Sequence, residues 1–136
     1  APVRDVAFLA SGTGLTPMMA MLRQYLRQGS GRAHVVLGEK REETIIHRET
    51  LNELAANNPN LEVTFVLSDP NWEWTGRIGF AQEHLESLFD AFTERDFYVC
   101  GVPPMVVQTK EKLRDLGAPD ERIHSEGWED SVVSDE

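Results

Sequence analysis

The chain has 136 residues, 40% of them hydrophobic, with 23 acidic residues against 13 basic ones and a formal net charge of −10. That length and apolar content suit one domain with a real core, and the negative balance speaks against nucleic acid or an anionic membrane as a main partner. No apolar run approaches the roughly 20 residues of a membrane span, the N-terminus lacks a basic-then-apolar export pattern, and the single cysteine, Cys100, excludes an internal disulfide, so a cytoplasmic location is expected.

Ala1 is not an initiator Met and stands just ahead of an apolar run, which reads as a piece of something larger. Residues 6–10 are all apolar and predict a central parallel strand. Ser11-Gly12-Thr13-Gly14 ends it, and Thr16-Pro17 opens a segment with Met18, Met21, Leu22, Tyr25 and Leu26 at helical spacing. Thr16 suits the helix cap and Pro17 the first helical position, where its missing N–H costs nothing. Strand, glycine turn and helix N-terminus in that order bring a phosphate against backbone N–H groups at the positive end of a helix dipole. Pro17 stands where the dinucleotide fingerprint has its third glycine, and no Gly-Lys-Ser/Thr of a P-loop follows.

Gly29-Ser30-Gly31 ends that helix. Residues 34–37 predict a second strand closed by Gly38, and 44–57 a helix with Leu51, Leu54 and Ala55 inward, stopped by Asn58-Pro59-Asn60. Residues 61–67 predict a third strand. Residues 68–79 are the longest irregular stretch; its Trp72 and Trp74 are expected to pin the loop. Residues 80–92 predict a helix with Ala81, Leu85, Leu88 and Phe89 on one side, and 97–100 a fourth strand. A Gly101-Val102-Pro103-Pro104 turn leads into a helix over 104–116, and 123–126 form a short fifth strand before an acidic tail. This alternation predicts a three-layer α/β fold, a five-stranded parallel sheet of order 3-2-1-4-5 with helices on both faces. Ligands in such sheets bind at the carboxyl ends of the strands, where the strand order reverses. The turns after the first and fourth strands are therefore expected to face each other.

Three motifs agree in order and spacing: Gly12-Thr13-Gly14-Leu15-Thr16-Pro17, Cys100-Gly101-Val102-Pro103-Pro104-Met105, and His124-Ser125-Glu126-Gly127-Trp128. Together they resemble the NAD(P)H-binding domain of the ferredoxin–NADP reductase family, in particular the NADH-dependent reductases that feed oxygenases and related acceptors. The resemblance implies a nucleotide-binding domain over 1–128 and a tail over 129–136. FAD would be held mainly on a barrel domain, whose Arg-x-Tyr-Ser/Thr motif does not occur here. The acceptor beyond it would be ferredoxin, an oxygenase or a haem protein. Val102 departs from the family, which has proline there.

By the same resemblance, Gly12, Thr13, Gly14, Thr16 and Pro17 face the pyrophosphate and its ribose. Cys100 positions the nicotinamide at C4, and Gly101, Pro103 and Met105 shape the crevice wall. Glu126 supports charge near hydride transfer while Trp128 stacks on the flavin. Gly38, Lys40, Ser68 and Asp69 complete the cofactor set. Asp69 stands where NADP-dependent relatives carry an arginine, and a carboxylate there repels a 2′-phosphate, so NADH is expected over NADPH. Against that, Lys40-Arg41 supplies cations nearby. Glu39, an acid just past the second strand, is what a flavin-free NAD-dependent dehydrogenase uses for the ribose, so that reading stays open beside a dinucleotide-binding module without turnover. His34, His47, His84 and His124 are scattered and read as structural or exposed, and no metal-ligand spacing occurs.

Overall fold

Val6, Phe8 and Ala10 point to one side of β1 (Val6–Ser11), Ala7 and Leu9 to the other, and all five are buried. A strand apolar on both faces belongs in the middle of a covered sheet. The computed structural model, which describes residues 5–28 and 31–125, places it there. Its parallel neighbours are β2 (Ala33–Glu39) and β5 (Asp96–Cys100). Beyond β2 come β3 (Leu61–Leu67) and the two-residue β4 (Arg77–Ile78); beyond β5 comes β6 (Ile123–Ser125).

Helices α1 (Leu15–Gln28) and α2 (Arg48–Asn57) set Leu15, Met18, Leu22 and Leu51 against the Phe8 face. The short α3 (Leu85–Leu88) and α4 (Pro103–Asp115) set Leu85, Val106 and Leu113 against the Leu9 face. The three layers of the α/β expectation are present. Among the described residues no helix is long and apolar enough to cross a membrane.

Several expected boundaries differ. Among the described residues the sheet has six strands, order β4-β3-β2-β1-β5-β6, because β4, inside the stretch read as irregular, pairs with Val66 and Leu67 of β3. Two residues carry too little pattern to announce a strand. Helix α1 begins at Leu15, so Thr16 and Pro17 are its second and third residues, not cap and first position. The proline still sits in the first turn, where no intrahelical acceptor exists for an N–H. The helix expected over 44–57 starts only at Arg48, after a 3-10 turn at Glu42–Thr44 and His47 at φ 59°. The helix expected over 80–92 is a 3-10 turn (Ala81–His84) and one turn of α3. It stops at Leu88 because Phe89 and Phe92 fold back onto Phe97, with ring centroids 5.9 and 5.8 Å away. Gly38 lies inside β2 and α4 opens at Pro103, while Glu126, expected in the last strand, lies outside the described residues.

His34 is buried in β2, its Nε2 2.8 Å from Thr64 Oγ1 and its ring 5.0 Å from that of Phe89. Burial pushes its pKa below the ordinary 6.5; Glu62 pulls it up, while Arg95 and Arg77 push it down. A folded-state pKa below the unfolded one means the native state resists protonation. Stability is then full above about pH 6.5 and falls as the pH drops through the folded value. Thermal melts from pH 7.5 to 5 are expected to show a decline that is shallower in His34→Gln. Identical slopes in the two proteins count against this assignment.

Candidate functional site

From β1 the chain builds β2, β3 and β4 on one side and then returns for β5 and β6 on the other, so the order reverses between β1 and β5. Ala10 and Cys100 are register partners there. The turns that follow them touch. A Cβ placed on Gly14 would lie 2.6 Å from the Cys100 carbonyl carbon and oxygen and 2.7 Å from Gly101 N. Only glycine permits that approach. Gly12, in the 3-10 turn Gly12–Gly14 that also holds Thr13, has φ 53°, a left-handed value that costs other residues strain.

In front of this junction lies a cavity of about 440 Å³, within the size range of small-molecule sites. Ser11 and Gly12 reach it from the end of β1 and the turn after it, Gly38, Glu39 and Lys40 from the end of β2 and just beyond, and Ser68 from beyond β3. Gly79, Phe80, Ala81 and Gln82 form one wall; Val102, Pro104, Met105 and Gln108 form the other.

The Phe80 wall is held by its neighbours. The His84 Nε2–H donates to the Ile78 carbonyl at 2.8 Å, which leaves Nδ1 to accept from Arg77 Nη1 at 3.1 Å. Arg77 Nη1 also donates to Ser87 Oγ, and Trp74 Nε1–H to the Arg77 carbonyl, both at 2.9 Å. Gly79 N–H reaches the Leu67 carbonyl, and Phe80 N–H reaches Glu83 Oε1 at 2.7 Å. Gln82 Nε2 donates to Gln108 Oε1 at 2.9 Å, tying this wall to α4. Phe80 itself stays 57% exposed at the mouth. Of the tryptophans, Trp74 does pin the loop, while Trp72 is 91% exposed.

Among the described residues that line the cavity, only Glu39 and Lys40 carry formal charge. Burial pushes the Glu39 carboxyl above its usual range, and hydrogen bonds from the Thr44 hydroxyl and the Lys40 N–H pull it partly back. Asp69 sits beside the cavity without lining it. Its Oδ2 is 3.1 Å from Arg41 Nη2, both side chains being about half exposed, so the two charges answer each other. Backbone bonds from Ser68 N–H to the Glu39 carbonyl and from Asp69 N–H to the Lys40 carbonyl lace the ends of β2 and β3 together.

Of the residues expected to meet a cofactor, Gly12, Gly38, Lys40, Ser68 and Met105 line the cavity, and Gly14, Cys100 and Gly101 meet behind it. Cys100 is buried with the α1-side cluster. Thr16 and Pro17 are exposed on the first turn of α1, and Pro103 begins α4. Glu126 and Trp128 lie outside the described residues. The sequence reading missed Phe80, Gln82 and Gln108. One sign was available: Phe80 follows a glycine and falls off the apolar face of the helix expected there.

Residues 8–111 match the family described as the oxidoreductase NAD-binding domain. The chain is 34% identical over 131 residues to ferredoxin–NADP reductase B of Sorangium cellulosum, covering 90% of this chain and 53% of that protein. It is 33% identical over 131 residues to the ferredoxin reductase component of the 3-ketosteroid-9-alpha-monooxygenase of Mycolicibacterium smegmatis, covering 96% and 35%. Its fold matches the CS-b5R domains of human Ncb5or in the NAD+ form with a TM-score of 0.80 and 32% identity, over 90% of this chain and 36% of that one. The chain thus spans about half, or less, of the length of these relatives.

Proposed function

The chain belongs to the oxidoreductase NAD-binding domain family, and on that premise we propose that it is the pyridine-nucleotide half of an FAD-dependent NAD(P)H reductase. It presents NADH so that hydride passes to a flavin held mainly on another domain, and electrons go on to a redox protein such as ferredoxin, an oxygenase component or a haem protein. A chain with one cysteine suits the reducing cytoplasm as its place of work.

The observation that carries this reading is the contact of Gly14 with the Cys100–Gly101 peptide beside a cavity of about 440 Å³ at the point where strand order reverses. That geometry suits an extended dinucleotide. Its pyrophosphate fits the Gly12–Gly14 turn and the N-terminus of α1. Its adenosine end fits between Phe80 and Met105, near Ser68, and its nicotinamide end fits toward Cys100. Cys100 is assigned a positioning role there and no covalent one. Glu126 and Trp128 keep the roles the resemblance implies, charge support and stacking on the flavin. FAD, when bound, accepts the hydride; this chain's part is to fix distance and orientation. A carboxylate at the mouth of the crevice favours NADH over NADPH.

Calorimetric titration of the 136-residue chain with NADH is expected to show saturable binding. Phe80→Ala is expected to weaken it about fivefold, the equivalent of roughly 1 kcal/mol of lost stacking. No saturation at millimolar NADH overturns the nucleotide assignment. Robust diaphorase activity from these residues without any flavin overturns the flavin-dependent part.

A further inference from the structure

We propose that Glu39, rather than Asp69, accepts the hydroxyls of the adenosine ribose and sets the preference for a nucleotide without a 2′-phosphate. The inference rests on reading the crevice as an NADH site and names the group that discriminates within it.

The two carboxylates differ in position and in prior commitment. Glu39 closes β2 and faces the cavity, whereas Asp69 stands outside it. Asp69 is already engaged, with Arg41 Nη2 at 3.1 Å, so its charge is countered before any ligand arrives. Among the described residues no cation pairs with Glu39; its carboxylate receives one side-chain hydrogen bond there, from Thr44 Oγ1 at 3.3 Å, and an ionised carboxylate has further acceptor sites to offer. An acid at the end of the second strand is well placed for the vicinal hydroxyls of a ribose. Its partial burial also matters. Repulsion between a carboxylate and a dianionic 2′-phosphate grows as water is excluded from between them. Lys40 opposes this, since it lines the same cavity, but its side chain is exposed and an ammonium there is strongly hydrated.

The test is the ratio of dissociation constants for NADPH and NADH, which differ only in the 2′-phosphate, measured by calorimetry on the 136-residue chain. The wild type is expected to favour NADH by about tenfold or more, the scale of a hydrogen bond to a charged group. Glu39→Gln preserves shape and the Thr44 contact. It is expected to weaken NADH about tenfold, strengthen NADPH by leaving Lys40 unopposed, and bring the ratio near one. Asp69→Asn is expected to move the ratio by no more than about threefold, as for an exposed ion pair. Melting curves of both variants establish that they fold. A wild-type ratio near one overturns the proposal, as does collapse of the ratio in Asp69→Asn with Glu39→Gln unchanged. Failure of the wild type to bind either nucleotide overturns the reading of the crevice itself, and the proposal with it.

Discussion

Gly14→Ala is expected to destabilise the chain by about 3 kcal/mol, at the upper end of what overpacking costs, and to remove measurable NADH binding. The added methyl would sit 2.6 Å from the backbone of Cys100. A flexible side chain swings aside cheaply, but here the obstacle is a peptide group. That peptide is locked on one side by the β1–β5 ladder and on the other by the first turn of α4. Relief therefore means separating the two turns that build the crevice, and stability and affinity fall together. Gly12→Ala makes the contrasting case. A Cβ there meets nothing within 4 Å, so its cost is left-handed strain of about 1 kcal/mol. Its methyl would project where the pyrophosphate is assigned, so affinity should fall more than stability. Urea midpoints and NADH titrations of both variants separate the two effects. Wild-type stability in Gly14→Ala would sink the argument.

The crevice was legible in the sequence because its parts are backbone features with strong local signatures. Five consecutive apolar residues before Ser11 mark a strand buried on both faces. The glycines at 12 and 14 mark a turn, and Pro103-Pro104 marks a helix start. Alternating strands and helices then fix where two turns about ninety residues apart must meet.

The mouth of the crevice was not legible, for a different reason. Asp69 reads as a repelling carboxylate with the Lys40-Arg41 cations nearby, but that Arg41, 28 residues earlier in the chain, pairs with it directly is a matter of side-chain geometry. The expected strand order already makes β2 and β3 neighbours, but the register that sets these two side chains together leaves no local pattern. Phe80 is similar. It is held by hydrogen bonds from Arg77 to His84 and from Phe80 to Glu83, across a strand of only two residues. Long-range pairing of exposed polar groups leaves no periodicity to read.

The misread helix over 80–92 leads to the other large effect. Phe97→Ala is expected to cost about 4 kcal/mol, as truncations of buried phenylalanines do. Phe97 is fully buried in β5, with Phe89 edge-on and Phe92 stacked against it. Those two rings lie at helical spacing, which is why the segment reads as a continuation of α3. Phe89 instead adopts extended backbone at φ −128°, and the chain turns back over the sheet. Burial against Phe97 outweighs the hydrogen bonds that another helical turn would have added. The same cluster seats His34 and the Arg95 guanidinium, 5.2 Å from the Phe89 ring. Truncating Phe97 thus removes the anchor for the whole 89–95 connection. A loss of that size is a large share of the 5–15 kcal/mol typical of a domain, so the denaturation midpoint should fall steeply. Phe92→Ala, at a half-buried position, should cost about half as much. Phe97 lies three residues before Cys100, in the half of β5 away from the crevice, so the fraction that remains folded should bind NADH as the wild type does. A loss below about 1 kcal/mol would show that the trio does not hold the segment, and weakened NADH binding by the folded protein would show that core and crevice are not separable.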